Sequence, residues 1–139
     1  MNVFMDSSAL AKRYINEPGS ALVEQIFSNA SSLALSVICL PEVISGLSRL
    51  RREGKLSQRQ YNENKRALIR DIEDSVIIPI TEQVIARAVE LLERWPLRSS
   101  DALHIACAAE WGADLFASAD ARQCTAAQSY GLRVEALVS

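Results

Sequence analysis

Four carboxylates sit in equivalent settings along this chain. Asp6 closes a short apolar run from Asn2 to Met5, and Glu42 falls in the first turns of a helix behind the run Leu33 to Ser36. Asp101 stands at the start of a helix, and Asp120 comes just beyond Leu115 to Ala117. Where strands alternate with helices, the carboxyl ends of the strands and the starts of the following helices share one edge of the sheet, so acids far apart in sequence converge there. Two unit charges about 4 Å apart repel by roughly 4 kcal/mol at an effective dielectric near 20. Such a cluster must bind cations, be protonated or lie beside basic side chains. Carboxylate oxygens with few imidazoles and no thiolates suit Mg²⁺ or Mn²⁺, and Mg²⁺ keeps several waters, one of which can attack a phosphoester. Singly, Asp101 or Glu42 could merely complement a helix dipole, and Asp6 or Asp120 could merely form a turn. Four acids at one edge are harder to explain that way.

Other candidates weigh less. His104, the only histidine, lies one turn beyond Asp101 and could pair with it, or could be a packed, hydrogen-bonded core residue. Ser7 and Ser8 have no G-x-S-x-G elbow around them and no second histidine to work with, so they are expected to cap the first helix or hold metal-bound water. Trp95, Trp111 and Tyr130 sit near helix ends and read as packing rather than base-stacking platforms.

The elements that must position these residues follow from apolar spacing and turn signals. Asn2 to Met5 is a strand, and Ser8 to Tyr14 a helix broken by Glu17-Pro18-Gly19-Ser20. A helix over Ala21 to Phe27, a strand at Leu33 to Ser36 and a helix with Val43, Leu47 and Leu50 on one side come next, with Gly54 ending the last. Ser57 and Gln60 form a capping box for a helix reaching about Asp74. Val76 to Ile80 is a strand by its β-branched content. Thr81 caps a helix closed by Pro96, and Ser99-Ser100 caps another running from Asp101 to Trp111. Leu115 to Ala117 is a strand, a helix follows to Tyr130, and Arg133 to Leu137 is the last strand. Strands alternating with helices imply an α/β three-layer sandwich whose central, mostly parallel sheet is flanked by helices. The two helices between Pro41 and Asp74 have no strand between them and could protrude as an arm.

The composition agrees. The chain has 139 residues, 49% hydrophobic and 23% charged, with no linker or low-complexity segment, so one domain over 1–139 is expected. Cys39, Cys107 and Cys124 show no paired spacing and read as reduced, buried thiols. No basic run precedes the short N-terminal apolar stretch, and the longest uncharged apolar segment, Leu33 to Leu40, is too short to span a bilayer; a cytoplasmic protein without membrane contact is expected. The net charge of -2 hides a polarity: Arg49 to Arg70 alone carries +6. Within it Arg49, Arg52 and Arg59 are candidates for holding nucleic-acid phosphates, although arginines on long helices also serve simply as a solvated face.

Four segments together carry a resemblance. Val3-Phe4-Met5-Asp6-Ser7-Ser8-Ala9-Leu10-Ala11-Lys12, Pro41-Glu42-Val43, Ser100-Asp101-Ala102-Leu103-His104-Ile105-Ala106 and Phe116-Ala117-Ser118-Ala119-Asp120 resemble the successive signatures of the PIN-domain nucleases, spaced over the whole chain. Among these the chain most resembles the VapC toxins of type II toxin-antitoxin pairs. The resemblance implies a PIN-like fold, with Asp6, Glu42, Asp101 and Asp120 as the acidic quartet and Ser118 as the hydroxyl that accompanies the last acid. It implies an Mg²⁺-dependent endoribonuclease, with Mn²⁺ as a substitute. Metal would be held chiefly by Asp6 and Asp101, with Asp120 as an additional direct or water-mediated ligand and Glu42 orienting or deprotonating water. The implied partners are an RNA substrate, a VapB-type antitoxin, a second copy of the chain, and operator DNA reached only through the antitoxin. One departure is that many relatives have Thr before the final acid and a basic residue directly after it, where this chain has Ser118 and then Asp120-Ala121-Arg122.

Other classes fit less well. A signalling receiver domain needs a lysine at the end of its last strand, and a haloacid-type phosphatase an Asp-x-Asp pair after the first; neither is present. A PIN-type module that has lost catalysis and acts through its antitoxin at operator DNA is the remaining alternative, and the intact quartet stands against it.

Overall fold

A computed structural model describes residues 1–137. Five strands form one sheet in the order β3-β2-β1-β4-β5, with every neighbouring pair parallel. They are β1 (Asn2–Met5), β2 (Ser32–Ser36), β3 (Val76–Ile78), β4 (Leu115–Ser118) and β5 (Val134–Ala136). The helices between them are α1 (Ser7–Ala11), α2 (Ser20–Asn29), α3 (Cys39–Arg52), α4 (Gln58–Glu73), α5 (Glu82–Arg94), α6 (Ser99–Trp111) and α7 (Ala121–Ser129). The α/β three-layer architecture read from the sequence is the one observed.

Because side chains alternate across a strand, each central strand feeds two cores. Val3 and Met5 of β1, Leu35 of β2 and Ala117 of β4 point into a cluster with Leu10, Val23, Val43, Leu47, Tyr61 and Leu68 from α1 to α4. Phe4, Ala34 and Phe116 point the other way, toward Val84, Ala88 and Leu91 of α5, Ile105 and Cys107 of α6, and Ala126 and Ala127 of α7. The Phe4 and Phe116 rings stack at 5.9 Å across this second core. The chain leaves β1 toward β2 on one side and returns through α5 and α6 to β4 on the other. The topological switch therefore lies between β1 and β4, the place where open parallel sheets leave a crevice at the strands' carboxyl ends.

Several local readings are corrected. The α3–α4 hairpin does not protrude: Tyr61 and Leu68 are buried in the first core, and Asp71 of α4 accepts from Arg13 and from the Tyr14 hydroxyl, which staples the hairpin to the segment after α1. Its apolar face, read alone, has the spacing of an exposed pair of helices; only the sheet shows what it covers. Ser99 and Ser100 lie inside α6, whose N-cap is Arg98, without a side-chain cap bond. Helix α3 begins at Cys39, so Pro41 sits in its first turn, where the missing N–H is no loss. The capping box at Ser57 and Gln60 and the Thr81 cap form as read. All three cysteines are free and buried, and burial pushes the Cys39 thiol up to about 12, so it is not a reactive thiolate at neutral pH. Among the described residues no helix is long and apolar enough to cross a membrane.

Candidate active site

Asp6 is the first residue past β1 and caps α1, its Oδ1 accepting the Ala9 N–H at 2.9 Å. Serines were expected to provide this cap; instead Ser8 Oγ donates to both Asp6 oxygens at 2.8 and 2.9 Å and accepts the Ala119 N–H. Ser118, at the end of β4, donates to Asp6 Oδ2 at 2.6 Å and accepts the Asp120 N–H at 3.0 Å. Ser118 thus joins the first acid to the last. Asp6 is 1% exposed. Burial raises its pKa above the ordinary 3.8, and the nearby His104 and the donors Ser118, Ala9 and Ser8 only partly offset that.

Glu42 reaches the same place from the first turn of α3. Its Oε1 accepts from Ser7 Oγ at 2.7 Å and lies 2.5 Å from His104 Nε2. Partial burial opposes its charge, but the bonds from His104 and Ser7 outweigh that and hold its pKa below the usual carboxylate value. His104 therefore pairs with Glu42, not with Asp101. Residues three apart on one helix share a face, but the α6 backbone turns the imidazole inward against Phe4 and α3 brings Glu42 to it.

The other two acids meet a cation. Asp101, in the first turn of α6, accepts from Arg98 Nε at 3.2 Å, and the same guanidinium lies 4.0 Å from Asp120 Oδ2. Asp120 caps α7 through the Gln123 N–H. Gln123 itself is buried, and its side-chain amide donates to the Asp101 backbone carbonyl, tying α7 to α6. Neither Arg98 nor Gln123 was singled out from the sequence. Arg98 sits in a Pro-Leu-Arg-Ser-Ser stretch that reads only as a helix start, and Gln123 could have been suspected as a polar residue on the apolar side of its helix.

All four acids, from four different elements, line one cavity of about 100 Å³ together with Ser7, Ser8, Arg98, His104 and Gln123. A groove of about 700 Å³ adjoins it along α1 and α3 and is lined by Arg49, Arg52 and Arg98 among others. Lys12 also borders it, but its ammonium is tied to Glu17 and the Pro18 carbonyl. Arg59 does not line the groove; it is 89% exposed on α4 and pairs with Glu63. Trp95 and Tyr130 pack edge to face at the margin of the second core, as read.

The donor set suits a hard divalent cation. Every candidate ligand is a carboxylate oxygen, and the burial that raises the Asp6 pKa would be countered by a cation in the cavity. Among the described residues no three acidic, histidine or cysteine side chains already stand as a closed ligand set. Serine hydroxyls occupy the Asp6 oxygens and Arg98 occupies the Asp101 side, so an ion would enter by displacing the guanidinium.

The model of the PIN domain family matches residues 3–128. No curated protein matches the chain. Among solved structures it is similar to the toxin VapC20 of Mycobacterium tuberculosis, described as cleaving the sarcin-ricin loop, with TM-score 0.68 and 18% identity over 94% of this chain and 95% of that one. It is also similar to a chain of DNA-bound VapBC from Salmonella typhimurium, with TM-score 0.72 and 16% identity over 99% and 98%. A chain of VapBC-1 from nontypeable Haemophilus influenzae gives TM-score 0.67 and 18% identity over 99% and 98%. At these identities the likeness is one of fold.

Proposed function

The chain belongs to the PIN domain family, and on that premise we propose that it is a divalent-metal-dependent endoribonuclease, the toxin of a VapBC-type toxin-antitoxin pair. The observation that carries the reading is the convergence of Asp6, Glu42, Asp101 and Asp120 on one small cavity at the sheet's switch point. Asp6, Asp101 and Asp120 would hold Mg²⁺, or Mn²⁺ in its place, whose charge supplies Lewis acidity toward a phosphoryl oxygen.

The chain's own residues do the rest. Glu42, kept ionised by its donors, takes a proton from the attacking water. The resulting hydroxide oxygen bonds to phosphorus, and the bond from phosphorus to the leaving ribose oxygen breaks. That oxygen takes its proton from solvent. Arg49 and Arg52 hold neighbouring phosphates along the groove, and Arg98, released from Asp101, is within reach of the same backbone.

The partners follow from the same reading. A VapB-type antitoxin would restrain the enzyme in the cytoplasm, and operator DNA would be contacted only through it; the fold's similarity to a chain of a DNA-bound VapBC supports such a partner. Ile85, Val89 and Leu92 make an exposed apolar stripe along α5, which supports a homodimer.

The test is cleavage of a defined single-stranded RNA by the purified chain. Activity should appear with Mg²⁺, vanish in chelator and be lost in Asp101→Ala. Cleavage that survives the chelator or the substitution would overturn the reading.

A further inference from the structure

The chemistry above gives the chain's one histidine no task. His104 is buried on α6, its ring edge-on to Phe4 at 6.4 Å, and its Nδ1 has no hydrogen-bond partner. A residue there only to fill space would do so as well with an aliphatic side chain and leave no buried nitrogen unpaired. What the imidazole contributes lies at its other nitrogen, 2.5 Å from Glu42 Oε1 and 3.2 Å from Ser7 Oγ.

Glu42 is gripped chiefly at one oxygen. Its Oε1 takes both close contacts, from Ser7 on α1 and His104 on α6, and the Ser100 hydroxyl bears more weakly on the same carboxylate. A carboxylate free to rotate exchanges its two oxygens. One gripped at Oε1 from two elements cannot.

We propose that His104 is the positioning residue for Glu42: its Nε2–H pins Oε1, so that Oε2 is the oxygen presented to the cavity and to the attacking water. The assignment of a base role to Glu42 rests on the nuclease reading above; the pinning does not. Reaction geometry is sensitive to such a hold because a displacement of about 1 Å at a reacting group can lower turnover on the order of 100-fold.

Two substitutions separate donation from packing. The terminal amide of glutamine reaches about as far as Nε2, whereas that of asparagine stops near the position of Nδ1. His104→Gln should keep kcat within about 3-fold of wild type, and His104→Asn should lower it on the order of 10- to 100-fold with little change in KM for RNA. A glutamine variant no faster than the asparagine one would overturn the proposal. The second measurement needs no variant: in ¹⁵N-labelled wild-type chain the single histidine gives an unambiguous long-range ¹H–¹⁵N pattern. A proton on Nε2 is expected, and a neutral ring protonated at Nδ1 would overturn the proposal even if neither variant folds. If the wild type fails to cleave RNA with Mg²⁺, the nuclease reading falls by itself, and the histidine spectrum still decides whether Glu42 is pinned.

Discussion

On the inner side of the acidic cavity, Asp6 and Glu42 are held by donors rooted in the cores: Ser8, Ser118, the Ala9 amide, Ser7 and His104. On the outer side, Asp101 and Asp120 share one guanidinium whose side chain is 78% exposed. The magnitudes differ accordingly. A hydrogen bond to a charged group contributes roughly 1.5–3 kcal/mol, whereas an ion pair with so exposed a partner is worth about 0–1 kcal/mol. The inner half is fixed before any ligand arrives, and the outer half carries a cation that is easily exchanged. On the proposed reading, a site for a divalent ion would use both: oxygens already aimed, and a place where the incoming charge replaces a weakly held one.

Substitutions that separate the two halves sharpen this contrast. The largest effect should come from Asp6→Ala, which removes a ligand and the α1 cap together. Single-turnover RNA cleavage should fall by about 1000-fold or more, and chemical denaturation should show a loss of ~1 kcal/mol from the cap alone. Wild-type turnover would show that the inner half is only structural. Glu42→Gln should lower kcat on the order of 100-fold while Mn²⁺ affinity, followed by calorimetry, stays near wild type. Weakened Mn²⁺ binding with an unchanged rate would move Glu42 among the metal ligands.

Smaller effects are expected farther out. The double variant Arg49→Glu, Arg52→Glu should raise the RNA dissociation constant and reduce the slope of log affinity against log salt by about 1, as expected when roughly one or two phosphate contacts are lost. Arg59→Glu, outside the groove and paired with Glu63, should change the slope less. An equal loss from all three positions would place RNA across α4 rather than along α3.

The inner half should also be visible in the pH dependence of stability without metal. Because the folded pKa of Asp6 lies above its ordinary 3.8, the native state binds more protons than the unfolded one between those two values, and stability falls as pH rises through that window. Glu42, held below its ordinary 4.5, acts in the opposite sense: its contribution is present above that value and is lost as pH falls through the folded one. Asp6→Asn should therefore be more stable than wild type in chelator at neutral pH, with the advantage vanishing in acid. A variant less stable at every pH would mean that the hydrogen bonds to the carboxylate outweigh its burial.

The positions of the acids were legible because each follows a strand or opens a helix, and such positions share an edge in any parallel α/β sheet. Their partners were not legible in the same way. His104 and Asp101 are neighbours on one helix, and sequence spacing favours that pair; the His104 contact with Glu42 depends on how α3 and α6 meet over β1, which no local pattern encodes. Arg98 precedes two serines that look like caps, so its role as the cation between two acids emerged only from the geometry. The docking of α4 was partly readable, since Tyr61, Leu68 and Ile72 recur on one side of a charged helix, but its target was not. Repulsion within the quartet was foreseen as a choice among cation, proton and basic neighbour. The structure answers it in two ways: burial raises the pKa of Asp6, and the Arg98 guanidinium lies beside Asp101 and Asp120.

The measurement that tests the exchange of cations most directly is a Mn²⁺ titration of wild type, Arg98→Gln and Asp101→Ala by calorimetry in the absence of RNA. If Arg98 occupies the place of the ion, removing it should tighten Mn²⁺ binding by about 3-fold or more, since the ion no longer competes with a tethered charge, and removing Asp101 should abolish binding. Unchanged affinity in Arg98→Gln together with wild-type affinity in Asp101→Ala would contradict the account, and would place any metal elsewhere than between the two halves of this cavity.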